Sequence, residues 1–171
     1  MLADRVKSEK EVIEKMGEEF AIEYKWDGER VQLHIEGDKI ELFSRSLEKI
    51  SSYYPDIIEK IPKMIKAEDA IMEAEIVAIN ENTGAFLPFQ ELMHRRRKYK
   101  IEKAVSEYPI TVNFFDLLYC NGKDCTDLNY IERRRKLENI VQENEFAKFI
   151  PMTLAKNENE IEEFFENSIN A

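Results

Sequence analysis

Hydrophobic positions along the chain repeat with two periods, one suited to strands and one to helices. Phe20, Ile22 and Tyr24 fall on alternate positions, and Val31, Leu33 and Ile35 alternate with polar residues (a Gly-containing turn lies between the two runs). The spacing predicts a hairpin of Phe20–Lys25 and Val31–Ile35. Glu36-Gly37-Asp38-Lys39 is a tight-turn signal, so a third strand, Ile40–Arg45, completes an antiparallel meander. Two further strands follow: Ala70–Ile79, and the most hydrophobic, Tyr108–Tyr119, closed by the turn pair Asn121-Gly122. Phe149–Leu154 contains Pro151 and reads as an edge strand.

Helical spacing appears first over Ser8 to Met16, with Val12, Ile13 and Met16 apolar, Ser8 and Glu11 as a capping-box pair, and Gly17 at the end. Ile57, Ile58, Ile61 and Ile65 predict a helix over Pro55 to Lys66, which Pro62 should split or kink. A helix over Phe89 to Lys98 ends in the basic run Arg95-Arg96-Arg97-Lys98. Another runs from Asn129 to about Gln142, with Ile131, Leu137, Ile140 and Val141 inward and Arg133-Arg134-Arg135 on it. A last helix over about Asn159 to Asn167 is expected to bury Ile161, Phe164 and Phe165. Ser46–Tyr54 and Asn80–Pro88 read as loops. The fold class is therefore α+β, with antiparallel sheets flanked by helices.

Composition narrows the class. At 171 residues, with 43% hydrophobic residues and 10 Phe, 7 Tyr and 1 Trp, the chain has the material for one real core and is not a disordered type. No apolar run is long enough to span a membrane, and no signal-peptide order is present, so an intracellular, cytoplasmic protein without a membrane partner is expected. Cys120 and Cys125 flank a turn at a spacing that fits no zinc site, and they read as reduced thiols. The net charge of −10 counts against a stand-alone nucleic-acid binder, although a local basic patch or a partner domain remains compatible with it.

Strand alternation also sorts the polar residues. Glu23 and Lys25 share one face of their strand, and Glu41, Phe43 and Arg45 share a face of theirs. Glu73 and Glu75 lie on an otherwise apolar face with Ile71, Val77 and Ile79, and Asp116 sits inside a hydrophobic run. Buried unpaired carboxylates are costly, so these acids need a cation, a metal or a hydroxyl. The arginine runs fit either solvated helix ends or phosphate contacts. The local pattern of Glu23-Tyr24-Lys25-Trp26-Asp27-Gly28-Glu29-Arg30 fits either a reactive site or an exposed, charged hairpin. A lysine amine with its proton removed is a nucleophile, and arginines suit phosphate oxygens by their fork geometry.

That octapeptide resembles the motif around the adenylated lysine of ATP-dependent DNA ligases, Lys-x-Asp-Gly-x-Arg. Further blocks follow in the family's order: Phe43-Ser44-Arg45-Ser46, Glu73-Ala74-Glu75-Ile76-Val77-Ala78, and Pro88-Phe89-Gln90-Glu91-Leu92 with the basic run after it. Phe114-Phe115-Asp116-Leu117-Leu118-Tyr119-Cys120-Asn121-Gly122 and Arg133-Arg134-Arg135 complete the set. The resemblance covers nearly the whole chain and is closest to the archaeal and eukaryotic type.

The resemblance implies an ATP-grasp-like nucleotidyltransferase (adenylation) domain using ATP and Mg²⁺. Lys25 would attack the α-phosphate, Glu23 would lie against the adenine and Phe115 would stack on it. Arg30 and Arg45 would contact ribose and phosphates, and Glu75 the ribose hydroxyl or the metal shell. Glu73 and Asp116 stay open as structural partners of buried cations. The enzyme would pass AMP to a 5′-phosphate of nicked double-stranded DNA and seal it in replication, repair and recombination, with a sliding clamp as a partner the family allows. Departures concern extent. The family's Glu-Gly block and later lysine block, its OB-fold domain and its N-terminal DNA-binding domain are not in 1–171, so a partial, monomeric adenylation domain, incomplete at the C-terminus, with weak or absent self-adenylation is expected. The shorter Lys-x-Asp-Gly string also occurs in RNA ligases and capping-type guanylyltransferases, and a non-catalytic nucleotide-binding module is a further alternative.

Overall fold

The alternating stretches after Gly28 assemble into one sheet. A computed structural model describes residues 5–97 and 101–169; Lys98 of the basic run and Asn170-Ala171 lie outside them. The chain divides into two compact units, Trp26–Phe149 and a smaller one in which the segment ending at Lys25 joins the segment beginning at Ile150.

In the larger unit the strands are β2 (Glu29–Glu36), β3 (Lys39–Ser44), β4 (Asp69–Ala78), β5 (Ile110–Cys120) and the short β6 (Lys123–Asp124), in the order β3-β2-β4-β5-β6. All of these neighbours pair antiparallel, and β7 (Ala147–Phe149) adds to β5 in parallel. Val31, Leu33 and Ile35 are buried on one face of β2, and Met72, Ala74 and Ile76 on the matching face of β4. That face is covered by α2 (Pro55–Lys60), α3 (Phe89–Arg97) and α5 (Tyr130–Ile140), which contribute Ile57, Leu92 and Leu137 to the core. The opposite face keeps Arg30, Gln32 and His34 half-buried.

Local rules account for most boundaries. Asn129 accepts from the Glu132 N–H and Glu132 accepts from the Asn129 N–H, a complete capping box that starts α5. Pro62 splits its segment into α2 and a 3₁₀ turn over Ile61–Met64. Asn121 and Gly122 take φ values of 46° and 80°, which turns β5 into β6. On α5 the buried positions are Arg133, Arg134 and Leu137, whereas Ile131 and Ile140 are only half-buried. The charged pair of arginines is buried because both find acids, Asp116 and Glu138. One helix, α4 (Ile101–Glu107), falls outside the predicted elements, although Ile101, Ala104, Val105 and Tyr108 have the spacing of one helix face.

The smaller unit corrects the expected hairpin. Its strand β1 (Phe20–Glu23) does not pair with β2 but with β8 (Met152–Ala155), in the register Phe20↔Ala155 to Glu23↔Met152. The reason is that both edges of β2 are taken, one by β3 and the other by β4. The predicted strand Phe149–Leu154 is correspondingly two strands in two sheets, with Pro151, which has no N–H for a ladder, at the break. The Pro151 carbonyl accepts from the Tyr24 N–H at 3.2 Å. The first helix, α1 (Glu9–Met16), is capped by Ser8 as expected. The last, α6 (Glu158–Ile169), buries none of its residues; Phe164 meets the Tyr24 ring at 4.7 Å, but Phe165 is 62% exposed. Among the described residues no helix is long and apolar enough to cross a membrane.

Candidate active site

The open face of the larger sheet carries a line of polar contacts. The His34 and Gln32 side chains meet at 2.7 Å (His34 Nε2 to Gln32 Oε1), and Gln32 Nε2 donates to Glu73 Oε1 at 3.0 Å. The other Glu73 oxygen accepts from Arg30 Nε at 2.7 Å. Glu73 is one of the acids for which a cation, a metal or a hydroxyl was expected, and its partner is the cation Arg30. Burial holds the His34 imidazole below its ordinary pKa, outweighing the pull of Glu41 and Glu73.

Arg30 also lies over the Phe115 ring, 5.3 Å from its centroid. The aromatic reaches that position because of a bulge. β4 pairs Ala74 with Phe114 and Glu73 with Asp116, so Phe115 is an extra residue between consecutive pairs. Phe114 is fully buried and Phe115 is not. From behind, α5 fastens the bulge: Tyr130 donates to the Phe115 carbonyl at 3.0 Å, and Arg133 grips both Asp116 oxygens at 2.7 and 3.0 Å. Asp116 in turn raises the Arg133 pKa. Asp116 and Arg133 are thus a structural pair.

Glu75 stands opposite Arg30 in the β2–β4 register, half-buried. Its backbone carbonyl accepts from Asn113 Nδ2 at 3.2 Å. Arg45 is exposed, one residue past β3; Ser44 pairs with Val31, so Arg45 falls at the Arg30 end of that ladder. Its turn is fixed by the Leu47 and Glu48 N–H groups, which donate to the Ser44 carbonyl and hydroxyl. Arg30, Glu73, Glu75 and Phe115 are therefore brought together, with Arg45 at the same end of the sheet. Glu23 closes β1 and Lys25 is exposed; both belong to the smaller unit. Gln32 and His34 escaped the sequence reading, although alternation from Arg30 would have placed them on this face.

The turn leading into β2 is held tightly. Asp27 Oδ2 accepts from the Phe89 N–H at 3.2 Å, at the start of α3, and the Trp26 ring meets Phe86 edge-on at 4.6 Å. A Cβ on Gly28 would lie 2.2 Å from the Ile76 carbonyl oxygen and 2.9 Å from Glu75 Cγ. That oxygen belongs to the β4 backbone and cannot swing aside. Gly28→Ala is expected to lower stability by about 2–3 kcal/mol, read from the urea unfolding midpoint. An unchanged midpoint would show that the strand yields.

As for a divalent metal, no group of three or more His, Cys, Asp or Glu side chains converges among the described residues, and Glu73 is committed to Arg30. Mg²⁺ binds through one or two carboxylates plus substrate phosphates rather than an all-protein cage, and Glu75 fits that use.

Residues 1–171 match the family described as ATP dependent DNA ligase domain. The chain is 77% identical to a DNA ligase of Nitrosopumilus maritimus and 61% identical to one of Cenarchaeum symbiosum, in each case over all of this chain and 29% of the relative. It thus spans under a third of the length of those proteins. Among solved structures it resembles a mycobacterial DNA ligase D complexed with ATP and MES, with a TM-score of 0.62, 20% identity, and coverage of 86% of this chain and 44% of that one. The ligase domain from M. tuberculosis gives a TM-score of 0.61 at 18% identity, again over 86% of this chain and 44% of the other. These likenesses establish the α+β fold, and the match along the whole sequence goes further: the chain belongs to the ATP dependent DNA ligase domain family.

Proposed function

We propose that this chain is the nucleotide-binding part of an ATP-dependent DNA ligase, in which Lys25 Nζ attacks the α-phosphate of ATP. A P–N bond forms, the bond to the β-phosphate bridge breaks, pyrophosphate leaves and the amine proton passes to solvent. The resulting lysyl-AMP donates AMP to the 5′-phosphate of a nick, and the 3′-hydroxyl then displaces AMP to seal the strand. Glu23 and Phe115 hold the adenine, Arg30 and Arg45 the ribose and phosphates, and Glu75 the ribose hydroxyl or the shell of a phosphate-borne Mg²⁺. The full-length enzyme would grip nicked double-stranded DNA largely through domains outside this chain, which suits the net charge of −10. Work in replication, repair and recombination, cytoplasmic location, a monomeric state and a sliding-clamp partner belong to the same reading.

The observation that carries the proposal is the Arg30 cluster. A guanidinium held by Glu73, resting on Phe115 and standing opposite Glu75, combines a phosphate-binding cation, a ring for a base and an acid for a sugar hydroxyl or metal. Incubating the full-length protein with α-labelled ATP or GTP and Mg²⁺, then with nicked DNA or nicked RNA, tests it. Covalent AMP chased onto nicked DNA is expected; covalent GMP, or transfer to RNA alone, would reject the reading in favour of a capping-type enzyme or an RNA ligase.

A further inference from the structure

Glu29 is a carboxylate on the wrong face of its strand. It shares the core side of β2 with Val31, Leu33 and Ile35 and is 8% exposed, while Arg30 beside it points to the open face. Both its oxygens are engaged. Oε2 accepts from the Tyr54 hydroxyl at 2.5 Å and Oε1 from Arg96 Nη1 at 2.9 Å. The Arg96 guanidinium also lies over Tyr53 at 4.8 Å. Burial, and next to it the Glu29 charge, pushes the Tyr54 pKa up, so this hydroxyl remains a donor across the working range. At the other end of the same helix, Asp27 receives the Phe89 N–H. The tripeptide Asp27-Gly28-Glu29 is thus bound to α3 on both sides of Gly28, whose backbone presses on β4.

We propose that Glu29 and Arg96 are positioning residues: their ion pair, with the carboxylate buried and the guanidinium half-buried, locks the turn that follows Lys25 in the chain and so sets the backbone from which Arg30 reaches the nucleotide. The inference rests on the ligase reading above and assigns Arg96 inward, to the enzyme's own frame, rather than outward to DNA. An ion pair placed here discriminates positions because a carboxylate in the core has only one low-energy arrangement, the one in which both oxygens are met. A shift of the turn by even an ångström would release both the pair and the Arg30 geometry.

The test is self-labelling by the full-length protein with ATP in the absence of DNA, comparing E29Q, R96M, the double variant and L137A. Leu137 is a fully buried α5 core residue, so L137A controls for lost stability. E29Q and R96M are each expected to lower kcat for labelling about tenfold or more, since small misplacements of reacting groups are expensive. KM for ATP should change by a smaller factor than kcat, because the misplacement weighs on the reacting geometry more than on the remaining contacts with the nucleotide. The double variant should be no worse than the weaker single, as befits two halves of one contact. L137A should melt at a similarly lowered temperature yet keep its kcat. Additive losses, an equal loss in L137A, or normal labelling with only nick sealing impaired would overturn the assignment, the last by making Arg96 a DNA contact. If the unmodified protein takes no label at all, the ligase reading fails and this inference with it.

Discussion

Lys25→Ala is expected to abolish covalent AMP labelling, with a loss of at least about 10⁴-fold, the scale seen when a covalent nucleophile is removed. No neighbouring group can take its place: a methyl side chain offers no electron pair, and without the P–N bond the later transfer to a 5′-phosphate has no donor. Because Lys25 is exposed, truncating it removes little packing, and stability should stay within about 0.5 kcal/mol of the parent. The combination is diagnostic. A protein that melts normally, retains non-covalent ATP and takes no label has lost chemistry alone. Persistent labelling in Lys25→Ala would refute the assignment of the nucleophile, and lysine-free peptide mapping of the labelled site would then name the true one. A Lys25→Ala protein given a pre-adenylated nicked DNA should still seal it, since that substrate already carries the AMP.

The largest effect on stability is expected at Asp56→Ala. Arg95 is among the most deeply buried side chains of the larger unit, 1% exposed, and its Nη2 meets Asp56 Oδ1 at 2.5 Å. Its other contacts are weaker: the Tyr54 ring at 5.3 Å and the Tyr108 carbonyl at 3.4 Å. Removing the acid leaves a buried guanidinium without its counter-charge, which costs about 3–5 kcal/mol. Chemical denaturation should show this as a lower midpoint with an unchanged slope. The double change D56L/R95M should recover most of the loss, because an apolar pair of similar bulk removes the desolvation problem together with the charges. If Asp56→Ala alone were neutral, water would have to reach Arg95, and the pair would not be the buried contact seen here.

The paired arginines mark where the sequence was readable and where it was not. Alternation in Val31, Leu33 and Ile35 disclosed the core face of β2, and the isolated acids Glu73 and Asp116 announced partners, which the fold supplies as the cations Arg30 and Arg133. The motif order disclosed the family and the candidate residues around Arg30. Arg95 and Arg96 read as solvated or DNA-facing because their acids, Asp56 and Glu29, are distant in sequence, and no local rule links them. The same limit produced the false hairpin. β1 and β2 are near neighbours in the chain, which favours pairing them, but β4 competes for the same edge and wins with an eight-residue register from Glu29↔Ile76 to Glu36↔Asp69. Strand competition of this kind is decided by tertiary packing.

The bulged strand β5 has a consequence for how such a chain can change over generations. Between Phe114 and Tyr119 it gains one residue at Phe115 and a second at Leu118, so Met72 pairs with Leu117 and Ile71 with Tyr119. Two extra residues equal one full period of the pleat, and Cys120 returns to the side on which Phe114 began. Deleting a single codon in this stretch would therefore invert every side chain downstream of it, as far as the turn at Asn121-Gly122, while swapping one residue for another would leave the pleat in phase and disturb only the contacts that residue makes, such as Asp116 with Arg133. Descent should purge changes of length here, so the number of residues between these two landmarks is an inheritance in its own right, beside the side chains that make the contacts.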